Sequence, residues 1–226
     1  MKIMPMKTIA HIYSDFPTKF GIPRQSNIID SLKARIVFEP EYRNVEAFRG
    51  LEGFSHIWIL WEFSEAVREE WSPTVRPPRL GGNTRIGVFA TRSPFRPNPI
   101  GLSSVKLEKI EHTNNEGVVL HVAGADIMNG TPIYDIKPYI PYTDSHPDAT
   151  SGFANAPADY LLNVDFPPEL LNKIPESHRR PLIDVLAHDP RPSYHHDPSR
   201  IYVMEYSSFE VSFSVEEETL KVVNIE

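Results

Sequence analysis

The sequence predicts a mainly β protein: an antiparallel β-barrel N-terminal domain followed by a small α+β C-terminal domain. Three observations carry this. Short segments rich in Ile, Val and aromatics recur through residues 7–140, each bounded by Gly, Pro or Asn. No helical periodicity intervenes between them, so the βαβ alternation of a doubly wound nucleotide fold is absent. The segments are evenly spaced, and an antiparallel sheet of that kind removes its edges by closing on itself.

In order, the predicted strands are 7–13 (KTIAHIY), 32–40 (LKARIVFEP), 54–63 (FSHIWILWEF), 84–91 (TRIGVFAT), 102–110 (LSSVKLEKI), 117–124 (GVVLHVAG) and 131–140 (TPIYDIKPYI). HTNNEG at 112–117 has the composition of a hairpin turn. The first domain therefore covers 1–145, and the polar stretch 146–165 reads as a linker or long loop. In the second domain, 166–226, PPELLNKIPESHRRPLIDVLAHDP holds two short helical stretches broken by Pro175 and Pro181. Leu182, Val185 and Leu186 there have the spacing of one helix face. The end alternates through Phe209, Val211, Phe213 and Val215, and EEET turns the chain into LKVV.

Composition narrows the chemistry. The chain has no cysteine, which removes disulfides, thiolate zinc sites, iron–sulfur clusters and cysteine nucleophiles together. The N-terminus lacks the apolar core and small-residue cleavage site of a signal peptide, and IWILW (57–61) is too short to span a bilayer. A cytoplasmic protein is expected. Net charge is −7, yet no Asp or Glu occurs from Trp71 to Leu107, where Arg76, Arg79, Arg85, Arg92, Arg96 and Lys106 all lie. An arginine-rich face on an acidic protein suits an anionic partner.

Standard phosphate loops are missing: no GxGxxG follows a strand and no GxxxxGK[ST] is present. The glycine pair of RLGGNTRIG (79–87) reads as a turn, and His195-His196-Asp197 as a surface loop rather than a metal site. Ser103 and Ser104 follow a glycine, but no GxSxG elbow supports a hydrolase. Four clusters remain. PRQ (23–25) sets an arginine beside an amide, and His56 opens the most apolar strand. TRSPFRPNPIGLS (91–103) is a proline-stiffened loop that presents Arg92 and Arg96. GADIMNGTPIYDIKPYIP (124–141) is a turn of Asp126, Asn129 and Gly130 leading into a strand on which Asp135 and Lys137 share a face.

Together, PRQ, GFSHIWILWEF, VRPPRLGGNTRIGVFATRSPFRPNPIGLSSV and DIMNGTPIYDIKPYIPY resemble the TrmO family of tRNA methyltransferases over residues 7–145. LAHDPRPSY (186–194) resembles the C-terminal domain of its bacterial members. The resemblance implies a β-barrel methyltransferase, homodimeric, using S-adenosyl-L-methionine. Its reaction is methylation of N6 of N6-threonylcarbamoyladenosine at position 37, in the anticodon loop of threonine tRNA.

On that basis Pro23, Arg24, Gln25, His56, Ile57, Arg92, Leu102, Asp126, Ile127, Met128 and Asn129 are expected around the cofactor. Arg76, Arg79 and Arg96 are assigned to RNA, with Trp71 and Phe95 as candidate stacking surfaces. Residue chemistry, not the family, suggests the catalytic set. Asp126 or Asp135 accepts the proton, while Lys137 and Tyr139 polarise the ureido carbonyl or hold the threonyl carboxylate. No metal is expected. A non-catalytic tRNA-binding barrel, or a methyltransferase with a small-molecule acceptor, are the other readings; the long motif match decides for tRNA.

Overall fold

Alternation in the sequence becomes inside and outside of a closed barrel in the computed structural model, which describes residues 5–154, 161–192 and 197–226. The first strands are β1 (Ala10–Tyr13), β2 (Lys33–Phe38) and β3 (His56–Glu62). A two-stranded ribbon of β4 (Thr74–Val75) and β5 (Ile86–Gly87) follows, then β6 (Ile100–Thr113), β7 (Gly117–Ala123) and β8 (Thr131–Pro138). Round the barrel the order is β1–β2–β7–β6–β3–β8 and back to β1, every pair antiparallel. Ile12, Ile36, Ile57, Ile59, Leu120 and Ile133 fill the interior with no exposed surface. Each contributes about 1.5–3 kcal/mol by leaving water.

The long strand β6 matters most for function. Its first half pairs with β3, from Ile100↔Glu62 to Lys106↔His56, and its second half with β7, from Lys106↔Ala123 to Thr113↔Gly117. Residues 100–105 therefore have a strand neighbour on one edge only.

After a single turn, α1 (Pro141–Asp144), the second domain forms a sheet of β9 (Asn163–Asp165), β10 (Tyr202–Tyr206), β11 (Phe209–Glu216) and β12 (Thr219–Ile225). Its order is β10–β11–β12–β9, with β9 parallel to β12. Between β9 and β10 lie α2 (Pro168–Leu171) and α3 (Glu176–Ala187), which turns Leu182, Val185 and Leu186 into a separate apolar core.

Three sequence expectations change. Residues 84–91 do not form a barrel strand. Only Ile86–Gly87 pair, and Val88–Ala90 wind into a 3-10 turn. The barrel closes with six strands without it, and this proline-flanked stretch lies outside them. Pro181 does not break its helix, because α3 runs through it and the burial of Leu182, Val185 and Leu186 offsets the lost backbone bond. The linker expected over 146–165 ends early: Leu162 is buried in the second core and β9 already belongs to that sheet.

Candidate active site

At the end of β3 and the start of β6 the barrel opens into a cavity of about 850 Å³. On the unpaired edge of β6, the β1–β2 connection and the β7–β8 connection come in where a strand would otherwise lie. Asn27 Nδ2 donates to the Ser104 carbonyl at 2.9 Å, and Asn27 N to the Gly124 carbonyl at 2.9 Å. Gly124 takes a positive φ of 75° beside Asn27, a turn that carries β7 into the site.

A hydrogen-bonded chain runs across the mouth. Trp61 Nε1 donates to Ser103 Oγ at 3.0 Å, and Ser103 Oγ donates to Asp126 Oδ1 at 2.6 Å. Ser103 is 2% exposed. Burial pushes the Asp126 carboxyl above its ordinary value, against the opposing pull of the Ser103 hydroxyl, backbone N–H groups and the Arg92 charge. Trp61 lies flat over Gly101, its register partner on β6. A Cβ at Gly101 would fall 2.2 Å from the indole ring. The glycine is the reason a tryptophan fits at the barrel's rim.

The walls carry both signs of charge. Lys19, Arg24, Arg92 and Arg96 face Glu62, Glu65 and Asp126. Arg92 Nη1 is held by Gln25 Oε1, which fixes one end of the guanidinium fork. Arg96 Nη1 donates to the Thr91 carbonyl at 3.1 Å, so both arginines of the proline-rich loop are tethered beside the cavity. Leu102 lines it as well, though 57% exposed.

The fold thus gathers Pro23, Arg24, Gln25, Arg92, Leu102, Asp126 and Met128, with Arg96, around one cavity. Ile127 and Asn129 brace it from behind. Ile127 is fully buried and its carbonyl accepts Ser14 Oγ at 2.8 Å, while Asn129 Oδ1 accepts Ser14 N at 3.2 Å.

His56 and Ile57 are not brought there. Neither lines the cavity, although their neighbour Trp58 on β3 does; His56 is bonded to Ser55 and Ile57 is sealed in the core. Asp135 and Lys137 form a 2.7 Å ion pair on β8, opposite Leu60 and Trp58, and Tyr139 packs against the Trp58 ring. None of these three lines the cavity. Arg76 and Arg79 belong to the excursion between β3 and β6. On that excursion Trp71 is 51% exposed and pairs with Phe89, 73% exposed, at 6.0 Å between rings. Phe95 has one face covered by the Arg68 guanidinium at 3.9 Å. His195 and His196 lie outside the described residues, and among the described residues no group of acidic or histidine side chains is arranged to hold a metal.

Sequence reasoning set Ser103 aside with the hydrolase reading and passed over Trp61 and Glu62. The available signal was the glycine of IGLSS, since a glycine inside a strand marks a close approach.

Residues 11–145 match the tRNA-methyltransferase O N-terminal domain and residues 159–226 the TrmO C-terminal domain. The chain belongs to the TrmO family. A tRNA (adenine(37)-N6)-methyltransferase of Escherichia coli K12 is 38% identical over 234 residues, covering 100% of this chain and 99% of that protein. A putative S-adenosylmethionine-dependent methyltransferase, RcsF, of Pseudomonas aeruginosa is 41% identical over 86% of this chain and 85% of its own. The crystal structure of TrmO from Pseudomonas aeruginosa superimposes with a TM-score of 0.80 at 30% identity, covering 100% of this chain and 99% of that one. The TrmO match spans both domains, so the barrel and the appended sheet are parts of one family architecture.

Proposed function

We propose that this chain methylates N6 of the adenosine at position 37 of a tRNA with S-adenosyl-L-methionine, the acceptor being N6-threonylcarbamoyladenosine in a threonine tRNA. The observation that carries this reading is the cavity at the barrel mouth, where a tethered guanidinium and a half-buried carboxylate face one space. The residues fit the cofactor. The volume lies within the roughly 300–1,000 Å³ of ligand pockets. Leu102 gives an apolar wall, Arg92 a partner for a carboxylate, and Glu62 and Glu65 partners for cationic groups.

When bound, S-adenosylmethionine supplies an electrophilic methyl group. Arg92, with one nitrogen occupied by Gln25, offers its remaining N–H edge to the methionyl carboxylate. Pro23 stiffens the segment that carries Arg24 and Gln25. Asp126 would accept the proton that N6 gives up on gaining the methyl group, the sulfur–methyl bond breaking with its electron pair left on sulfur. Ser103 holds one of its oxygens, and its raised pKa makes it a better acceptor near neutral pH than an exposed aspartate. Asp135, Lys137 and Tyr139, one strand away, are left outside this reading. Arg76, Arg79 and Arg96 meet RNA phosphate, which gives affinity without sequence choice.

A homodimer and a cytoplasmic site of action belong to the same reading; light scattering that gives a monomer mass would remove the dimer. The test of the reaction is direct. Transfer RNA from cells lacking the protein is incubated with purified protein and S-adenosylmethionine, digested, and analysed by mass spectrometry. A nucleoside one methyl heavier than N6-threonylcarbamoyladenosine is the expected product. Cofactor binding without it points to another acceptor.

A further inference from the structure

The β1–β2 connection, residues 14–32, touches the cavity on one side and the C-terminal domain on the other. Its middle carries the cavity residues, and both flanks are anchored in the second domain as well as to the β7–β8 connection of the barrel, where the Phe16 carbonyl accepts Asn129 N at 2.8 Å and the Leu32 carbonyl accepts Gly124 N at 3.0 Å. Phe16, Ile29 and Leu32 are buried in the C-terminal apolar core with Leu182, Leu186 and Tyr206. Phe16 meets Tyr206 edge-on at 5.7 Å, and Phe20 stacks on Phe213 at 6.5 Å. Gly21, at a φ of 96°, lies so close to Met204 that a Cβ would fall 2.2 Å from its sulfur.

Polar ties repeat the pattern. The Asp15 carbonyl accepts Ser207 N at 2.7 Å, while its carboxylate takes Tyr206 Oη at 3.3 Å and His178 Nε2 at 3.4 Å. Ser31 Oγ donates to Asp184 Oδ2 at 2.6 Å. Even within the PRQ segment, Arg24 Nη2 reaches the Arg191 carbonyl at 3.3 Å.

We infer that the C-terminal domain is a positioning element for the cofactor segment: it holds residues 23–27 against β6 and the Arg92 loop, so cofactor affinity depends on it before any tRNA is present. The inference rests on the reading of the cavity as the cofactor site. Charge argues against the other obvious role, a grip on tRNA. From Leu162 onward the chain has twelve Asp and Glu against six Lys and Arg, the wrong sign for phosphate. Segments tied by few contacts open locally at low cost, and here the apolar anchors of the segment, Phe16, Ile29 and Leu32, are buried in the second domain's core.

The test uses the full-length chain with Tyr206→Phe and Ser31→Ala combined, which removes two polar ties and keeps the apolar core. Gly21→Ala, which forces the segment off Met204, is the second variant. Three quantities are measured: the S-adenosylmethionine Kd by calorimetry without tRNA, amide exchange at Ser26 and Asn27, and KM for tRNA at saturating cofactor. Expected are a cofactor Kd raised at least fivefold, exchange at least tenfold faster, and a tRNA KM within twofold of wild type. An unchanged Kd overturns the inference, whether or not exchange changes. So does a variant whose principal defect is in tRNA KM. If the wild-type chain binds no cofactor, the reading of the cavity fails; unchanged exchange in the variants would then remove the clamp too, and faster exchange would leave it standing.

Discussion

Gly101→Ala tests the construction of the site more sharply than replacing any charged residue. The added Cβ would lie 2.2 Å from Trp61 Cε2, 2.5 Å from Cζ2 and 2.6 Å from Cδ2. Ordinary carbon contacts are about 3.5–4.0 Å, so the indole must move by more than an ångström. Its neighbour Phe63, with ring centroids 4.3 Å apart, blocks an easy retreat. Overpacking of this kind costs about 1–3 kcal/mol. Breaking the Trp61–Ser103 bond strands a buried donor at about 1–3 kcal/mol more. Alanine returns about 0.5–1 kcal/mol of backbone entropy. The terms sum to a net loss of about 1–5.5 kcal/mol, and its middle, about 3 kcal/mol, is about 6–12 °C in Tm for a chain of this length. Calorimetry reads the Tm and tryptophan fluorescence the ring displacement. Trp61→Phe, which keeps most of the ring and removes the donor, gives the hydrogen-bond share alone. A Gly101→Ala protein that melts within 1 °C of wild type and binds cofactor normally refutes the reasoning, since the rim would then be soft.

Three other outcomes are expected. Asp126→Asn abolishes methyl transfer while raising Tm at pH 7.5, because the folded chain there holds an ionised carboxylate that burial disfavours. With the folded pKa above the unfolded value of about 3.9, the gain must shrink as pH falls through the folded pKa and vanish below the unfolded one. A gain of equal size at pH 4 would contradict the assignment. Arg92→Lys keeps the charge but loses the planar fork held by Gln25, and calorimetry should show a cofactor Kd about tenfold higher; an unchanged Kd removes Arg92 from the carboxylate. Arg76→Ala should lower the slope of log Kd for tRNA against log salt by about 1 with no loss of cofactor affinity, and an unchanged slope takes this arginine off the RNA.

The barrel was legible because its signal is local. Alternating β-branched residues with glycine and proline punctuation encode strands wherever they occur, and six of the seven predicted segments became barrel strands. The exception, 84–91, has strand composition, yet only Ile86–Gly87 pair, and with Thr74–Val75 rather than with the barrel; composition cannot register which neighbour a stretch will meet. The same holds in the site. PRQ, Arg92, Leu102 and Asp126 stood out by residue type and meet in one cavity. Ser103 and Trp61 look ordinary in the sequence, and only the β3–β6 register sets the indole over Gly101 and aims the serine at Asp126. His56 and Asp135 show the converse, as residues of the right chemistry that the register leaves outside the cavity lining. The sequence by itself therefore determined the strands, the acid-free basic stretch and the family, each a property of residue order. Tertiary structure alone decided which side chains share a cavity, and that the PRQ segment leans on the second domain. Such neighbours are set by sheet register and barrel closure, which join residues far apart in the chain.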